Sequence, residues 1–203
     1  FVLEENEPGP SGVVSLIKNK IENWNQSDFI YLLINQKHWA HKELLKIKRK
    51  NFKVIKLNKE TSREFNIKVR KNIKNNLFYI IYRFVLFPYE LLLNIKIFYF
   101  IRRLIKTFSI DTIFSHNGGW PGGIVNRISL VSSMGLNIKK FLIIHNFPIK
   151  KNFFYFLLLK INNLIINLQN IKIITVSNSC KRELVSSYNF NKIKVIYNGI
   201  DLK

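Results

Sequence analysis

Cysteine is almost missing from this chain: one residue of 203, Cys180, carries a thiol. No disulfide can close within it, no CxxC pair is available for metal or redox chemistry, and a reducing, cytoplasmic compartment is expected. Acids are scarce too, 12 against 33 lysines and arginines. His38 and His41 stand three apart on a helix-like segment without a cysteine or carboxylate cluster beside them, so they read as a helix face rather than as metal ligands. The G-x-G-x-x-G fingerprint, the Walker A Gly-Lys-Ser/Thr and the serine-hydrolase elbow are all absent. No apolar run reaches about 18 residues without interruption, so no spanning helix is expected. No self-similarity recurs at about 20 to 50 residues. A signal peptide is not visible. The chain opens on Phe1, within what reads as a strand, and is expected to be truncated in front.

What is present is a globular composition and a strong positive charge. Apolar residues make up 47%, enough for a core and far above a disordered composition; the length allows one generous domain. The formal charge of +21 admits three readings. It can supply phosphate counter-charges for a nucleic acid, contacts to anionic lipid headgroups, or a merely solvated surface in a chain rich in Lys, Asn and Ile. Lysine far outnumbers arginine and no dense cluster forms, which argues against a groove-reading arginine surface. No specific nucleic acid is expected as partner, whereas an anionic membrane surface is.

Along the chain, apolar periodicity alternates between strand and helix. Phe1–Leu3 reads as a strand tail and Glu4–Gly12 as a turn-rich connection. Val13, Val14, Ile17, Ile21 and Trp24 then recur at helical spacing, with Ser11 or Gly12 as cap. Phe29–Ile34 is a short strand of the kind covered on both faces, Trp39–Arg49 a basic amphipathic helix, and Phe52–Leu57 a strand. Asn58–Asn76 is expected to be the least structured stretch. Leu77–Lys106 is apolar and aromatic but interrupted, and two helices broken or kinked near Pro88 are expected, either crossing the sheet or dipping an aromatic, cationic face into a membrane interface. Ile110–Ser115 is a strand, Ile124–Met134 a helix ended by Gly135, Lys140–Ile144 a strand and Phe153–Leu168 a helix. Ile171–Val176, Cys180–Tyr188 and Ile193–Tyr197 form a last strand–helix–strand unit. This alternation predicts an α/β fold: one doubly wound, Rossmann-like parallel sheet of about seven strands.

Three loops leave strand ends with glycine, asparagine or histidine, and in such a sheet they converge on one crevice. In Glu7–Gly12, Gly9 and Gly12 let backbone amides approach a phosphate ahead of a helix N-terminus. His116–Gly123 holds four glycines. There Asn117 offers a donor and an acceptor and Trp120 an apolar plate, a mixture suited to a hydroxyl-rich ligand. The third loop carries His145, Asn146 and Pro148.

In chain order, the first glycine loop, His116-Asn117-Gly118-Gly119, Ile144-His145, Val176-Ser177 and Asn198-Gly199-Ile200-Asp201 resemble the N-terminal half of a family 4 (group 1-like) glycosyltransferase of the GT-B fold. Pro10-Ser11 stands where that family has a Gly-Gly pair. The resemblance implies that residues 1–197 are the Rossmann-like acceptor-side domain, that 198–203 begin the interdomain linker, and that a C-terminal donor domain is missing. It implies retaining transfer of a sugar from a nucleotide-sugar donor to a hydroxyl of a glycan or lipid-linked acceptor in surface-polysaccharide synthesis, peripheral to the inner face of the cytoplasmic membrane, with no metal or other cofactor. Carried over by position, His145 matches the histidine that reaches the transferred sugar, and Gly9, Ser11 and Gly12 fall at the donor's diphosphate. His116, Asn117, Gly118, Gly119, Trp120, Asn146, Ser177 and Asn198 fall on the substrate side. Two other readings stay open: another nucleotide-sugar enzyme of the same two-domain fold, such as an epimerase or phosphorylase, and a basic nucleic-acid-binding module.

The resemblance assigns the charged groups that stabilise a departing diphosphate to the missing domain, and such preorganised charge dominates this chemistry. The 203 residues alone are therefore expected to have negligible transferase activity. Nucleoside diphosphate released from a nucleotide-sugar by the purified chain would contradict that.

Overall fold

Runs of Ile, Leu, Val and Phe too short for a core helix become strands when both faces can be covered. The computed structural model describes residues 2–3, 12–148, 164, 166–167, 169–188, 190 and 192–197. Its strands are β1 (Val2–Leu3), β2 (Ile30–Asn35), β3 (Phe52–Leu57), β4 (Thr112–Asn117), β5 (Lys139–Ile144), β6 (Lys172–Thr175) and β7 (Ile193–Val195). All neighbours pair in parallel, in the spatial order β3-β2-β1-β4-β5-β6-β7. That is the expected doubly wound sheet. Its order reverses between β1 and β4, which places a crevice outside their carboxyl ends.

Helices cover both faces: α1 (Gly12–Asn23), α2 (His41–Leu44), α3 (Ser62–Asn72), α4 (Asn76–Thr107), α5 (Ile124–Ser132) and α6 (Asn178–Tyr188). Successive strand side chains point to opposite faces, and β2 shows the result. Leu32 and Ile34 join α1 residues Val14, Ile17 and Ile21 in one core cluster. Leu33 joins the other, with Ile97, Ile101 and Ile105 of α4 and Leu142 and Ile144 of β5.

Three expectations are corrected. Trp39–Arg49 is helical only over His41–Leu44. The His38 ring accepts the Ala40 amide through Nδ1 at 3.0 Å, and the Arg49 guanidinium donates to the carbonyls of Ile21, Trp24 and Asp28 at 3.1, 2.8 and 3.1 Å. These side-chain bonds tie the segment back to the end of α1 and compete with further helical turns. Second, α3 forms inside the stretch expected to be least structured. Thr61 caps it, with Oγ1 accepting from the Glu64 amide at 3.1 Å while Glu64 Oε2 accepts from the Thr61 amide at 2.9 Å. Third, α4 runs unbroken through Pro88. An internal proline costs roughly 3 kcal/mol, offset here by burial of Leu93, Ile97, Ile101 and Ile105 and by the Asn75 side chain capping Leu77 and Phe78. By length and composition α4 could cross a bilayer, but its C-terminal half is committed to the core. The helix expected at Phe153–Leu168 lies almost wholly outside the described residues.

Replacing Thr61 by Ala removes one half of the capping box and should lower stability by about 1 kcal/mol, read as a shifted denaturant midpoint at unchanged slope.

Candidate functional site

β4 and β5 deliver two imidazoles to one point. Their register pairs Asn117 with Ile144, and the ladder continues one residue further, the His145 amide donating to the Asn117 carbonyl at 3.0 Å. His116 Nδ1 thereby lies 3.0 Å from His145 Nε2, with the rings stacked at 13° and 5.3 Å between centroids. α5 fixes the strand behind them: Asn126 Nδ2 donates to the His116 carbonyl at 2.7 Å, and Ser115 Oγ donates to the Asn126 carbonyl at 2.9 Å.

Both rings are neutral at ordinary pH. Burial first, and then the positive charge of Lys20 on α1, push His145 down to about 4 from 6.5. Burial, then His145 and Lys20, hold His116 well below 6.5. Two neutral imidazoles in contact share one hydrogen, so one ring donates and the other accepts, and their tautomers are tied. The contact with His116 engages Nε2 of His145 and leaves Nδ1 outside that bond. Such a ring suits a hydroxyl ligand; with so low a pKa it is not an imidazolium acid near neutrality.

The glycine-rich loop is built differently from the expectation. Asn117 Oδ1 accepts from the Gly123 amide at 3.0 Å and Nδ2 donates to the Pro121 carbonyl at 3.3 Å. Its side chain is thus spent on holding the loop, not offered to a ligand. Gly122 has φ +50° and a Cβ there would lie 1.7 Å from Asn117 Oδ1; a Cβ on Gly119 would lie 2.9 Å from the Phe147 carbonyl. The glycines let the loop fold back on Asn117 and against the loop after β5. Trp120 is 0% exposed and meets Phe190 edge-on at 5.3 Å, so it is a core residue rather than a ligand plate.

The remaining positions divide. Gly118 and Gly12 both face open space, Gly12 at the N-terminus of α1, where free amides favour an anion. Asn146 is exposed, and its carbonyl accepts from Cys180 Sγ at 3.4 Å. Ser177 Oγ accepts from the Cys180 amide at 3.1 Å, a capping bond at the start of α6. Gly9, Ser11 and Asn198 lie outside the described residues. Lys20, Ser115 and Asn126 escaped sequence reasoning; for Asn126 the signal was a polar residue on the apolar side of α5. A cavity of about 790 Å³ opens at the opposite, amino edge, among Trp24, Tyr31, Phe108 and Phe141. It holds neither histidine; both lie at the carboxyl edge.

His38 also sits at about 4, through burial and then His41. The unfolded chain binds protons on His38 and His145 near pH 6.5 and the folded chain does not until about pH 4, and His116 acts in the same direction. Stability is therefore full above about pH 6.5 and falls as pH drops toward about 4, by about 1.4 kcal/mol per pH unit for each ring. Denaturant midpoints from about pH 7.5 to about pH 5 should show the fall, and a smaller fall in His38→Gln; a flat profile would contradict neutral, buried rings.

No curated protein and no solved structure matches this chain. A family model described as Glycosyltransferase Family 4 does, over residues 48–203. That span covers well over half of the sequence and includes both histidines, the glycine-rich loop and α6, and by it the chain belongs to glycosyltransferase family 4, whose domains act on a sugar donor and an acceptor.

Proposed function

We propose that this domain is the acceptor-side half of a retaining transferase. It would move a sugar from a nucleotide-sugar to a hydroxyl of a glycan or lipid-linked acceptor during surface-polysaccharide synthesis, at the inner face of the cytoplasmic membrane. The observation that carries this reading is the His116–His145 contact at 3.0 Å, neutral, buried and beside the switch point between β1 and β4. A neutral imidazole exchanges hydrogen bonds with sugar hydroxyls without drawing in a counter-ion. His145 would hold the transferred sugar through Nδ1. His116, whose ring touches no substrate in this reading, would act as a positioning residue that fixes the tautomer and plane of His145. Gly12, at the N-terminus of α1, would face the donor's diphosphate, and Gly118 and Asn146 the acceptor. No metal has a role in this scheme.

The test is turnover of a panel of nucleotide-sugars by the enzyme carrying both domains. Loss of the His145 hydrogen bond in His145→Ala should lower turnover about ten- to hundredfold, with partial recovery in His145→Gln. His116→Phe keeps the stack and loses the bond, so it should change the imidazole tautomer of His145 seen by long-range ¹H–¹⁵N NMR as well as lowering turnover. Unchanged turnover in His145→Ala, or a product of inverted anomeric configuration, would overturn the respective part of the reading.

A further inference from the structure

The cavity at the amino edge touches both layers of the fold. The sheet separates two core clusters, one under α1 and one under α4 and α5. Trp24 and Ile30 belong to the first and line the cavity; Leu33, Ile101, Ile105 and Ile113 belong to the second and line it too. A pocket lying on one face of a sheet is walled by one layer only. A space open to both must pass through the plane of the sheet itself. At about 790 Å³ it is also far larger than the voids of a close-packed interior. The strands on its two sides are β2, with Ile30 and Tyr31, and β4, with Thr112 and Ile113.

Register shows what is in line with this space. Val2 of β1 stands opposite Leu33 of β2 and Ser115 of β4. Both neighbours run three residues further toward the amino edge, over 30–32 and 112–114. Along that length they flank the axis of β1 at two strand spacings, about 9.6 Å apart. Main-chain direction agrees. The Ile30 amide donates to the Asn51 carbonyl at 2.9 Å, and the Lys139 amide donates to the Asp111 carbonyl at 2.9 Å. Ile30 and Asp111 thus turn their main chains outward, to β3 and β5. Main-chain groups alternate sides along a strand, so those of Tyr31 and Thr112 turn toward the cavity. An apolar small molecule offers such groups nothing, whereas an extended backbone meets them as a ladder. A strand from a second copy would have to thread between two strands of the formed sheet. Chain leading into Val2 arrives along the axis.

We propose that this cavity is a strand seat: it takes two or three residues of extended backbone that lead into β1 from its amino side, parallel to β2 and β4. Successive side chains of that stretch point to opposite faces, and both faces are covered, by Trp24 on one side and by Ile101 and Ile105 on the other. Every position of the stretch is therefore apolar, without the polar alternation of a one-sided strand. Asp28, Asp111 and Lys139 stand at the mouth, so the chain ahead of the stretch meets water through a charged rim. The seat matters to the crevice at the other edge. β1 is the central strand, and its Leu3 stands opposite His116; lengthening its ladder holds the rung beside the histidine contact. The inference stands on register and packing and is independent of the transferase reading.

Short extensions in front of Phe1 test the seat on the 203-residue chain. An added Ile-Val-Ile should raise the denaturant midpoint and steepen the slope, because more surface is buried on folding. It should also slow exchange of the Thr112 amide hydrogen about tenfold or more. An added Asp-Gly-Asp should do neither, and Ile-Pro-Ile, which lacks one main-chain donor, should give less of both. The proposal is overturned if Ile-Val-Ile leaves the midpoint and the Thr112 exchange rate unchanged, or if Asp-Gly-Asp acts as strongly. It is equally overturned if the capped free tripeptide Ile-Val-Ile protects Thr112 as well as the tethered one, or if the protection appears only in a dimer by sedimentation, since the occupant would then be a foreign strand. Nucleotide-sugar turnover plays no part in these outcomes.

Discussion

Parallel pairing is the constraint from which the rest follows. A parallel neighbour cannot be reached by a tight turn, so each strand must be followed by a crossover that returns along the sheet, and all crossovers keep one hand. The strand carboxyl ends consequently gather at one edge, and whatever the loops carry gathers with them. β4 and β5 are separated by 21 residues between Asn117 and Lys139, yet the ladder brings His116 and His145 to 3.0 Å. The contact is a product of register: slipping β5 by one residue would turn its side chains to the other face and part the rings.

Around that contact the interior is unusually polar, and α5 explains how it is tolerated. Ser129, Ser132 and Ser133 are all buried. Each returns its hydroxyl to a carbonyl three residues back, at 2.8, 2.8 and 2.6 Å. Small residues that satisfy themselves let α5 sit close on β4 without demanding partners from the sheet. Asn126 is the one that reaches across, and it reaches to the backbone of His116. The site is therefore held by main-chain geometry and a few buried amides.

The alternating rhythm, the strands and the convergence of glycine and histidine loops were legible because they depend on local pattern and on one topological rule. What each loop residue does was not. Asn117 and Trp120 have the chemistry of a sugar site, but whether a polar or aromatic side chain faces ligand or loop depends on how the glycines fold back. The φ of +50° at Gly122, which sends Asn117 inward, leaves no periodic trace. α3 was missed for another reason. Thr61 and Glu64 spell a capping box, and that signal was outweighed by a basic, polar composition. Pro88 failed to end α4 because the burial of four residues beyond it outweighs one lost hydrogen bond.

Scarcity of acids, visible at once in the composition, returns as chemistry at the site. A carboxylate beside either imidazole would stabilise its charged form and raise its pKa. Among the described residues the charge that acts on both His116 and His145 is that of Lys20, so burial and charge push the same way and the rings stay neutral. A charged pair in this position would bind phosphate wherever it appeared. A neutral pair leaves anion attraction to the lysines and the helix ends and reserves the crevice centre for hydrogen bonds to uncharged groups. The same imbalance of 33 basic to 12 acidic residues thus sets an anion-attracting surface around a centre whose two rings are uncharged.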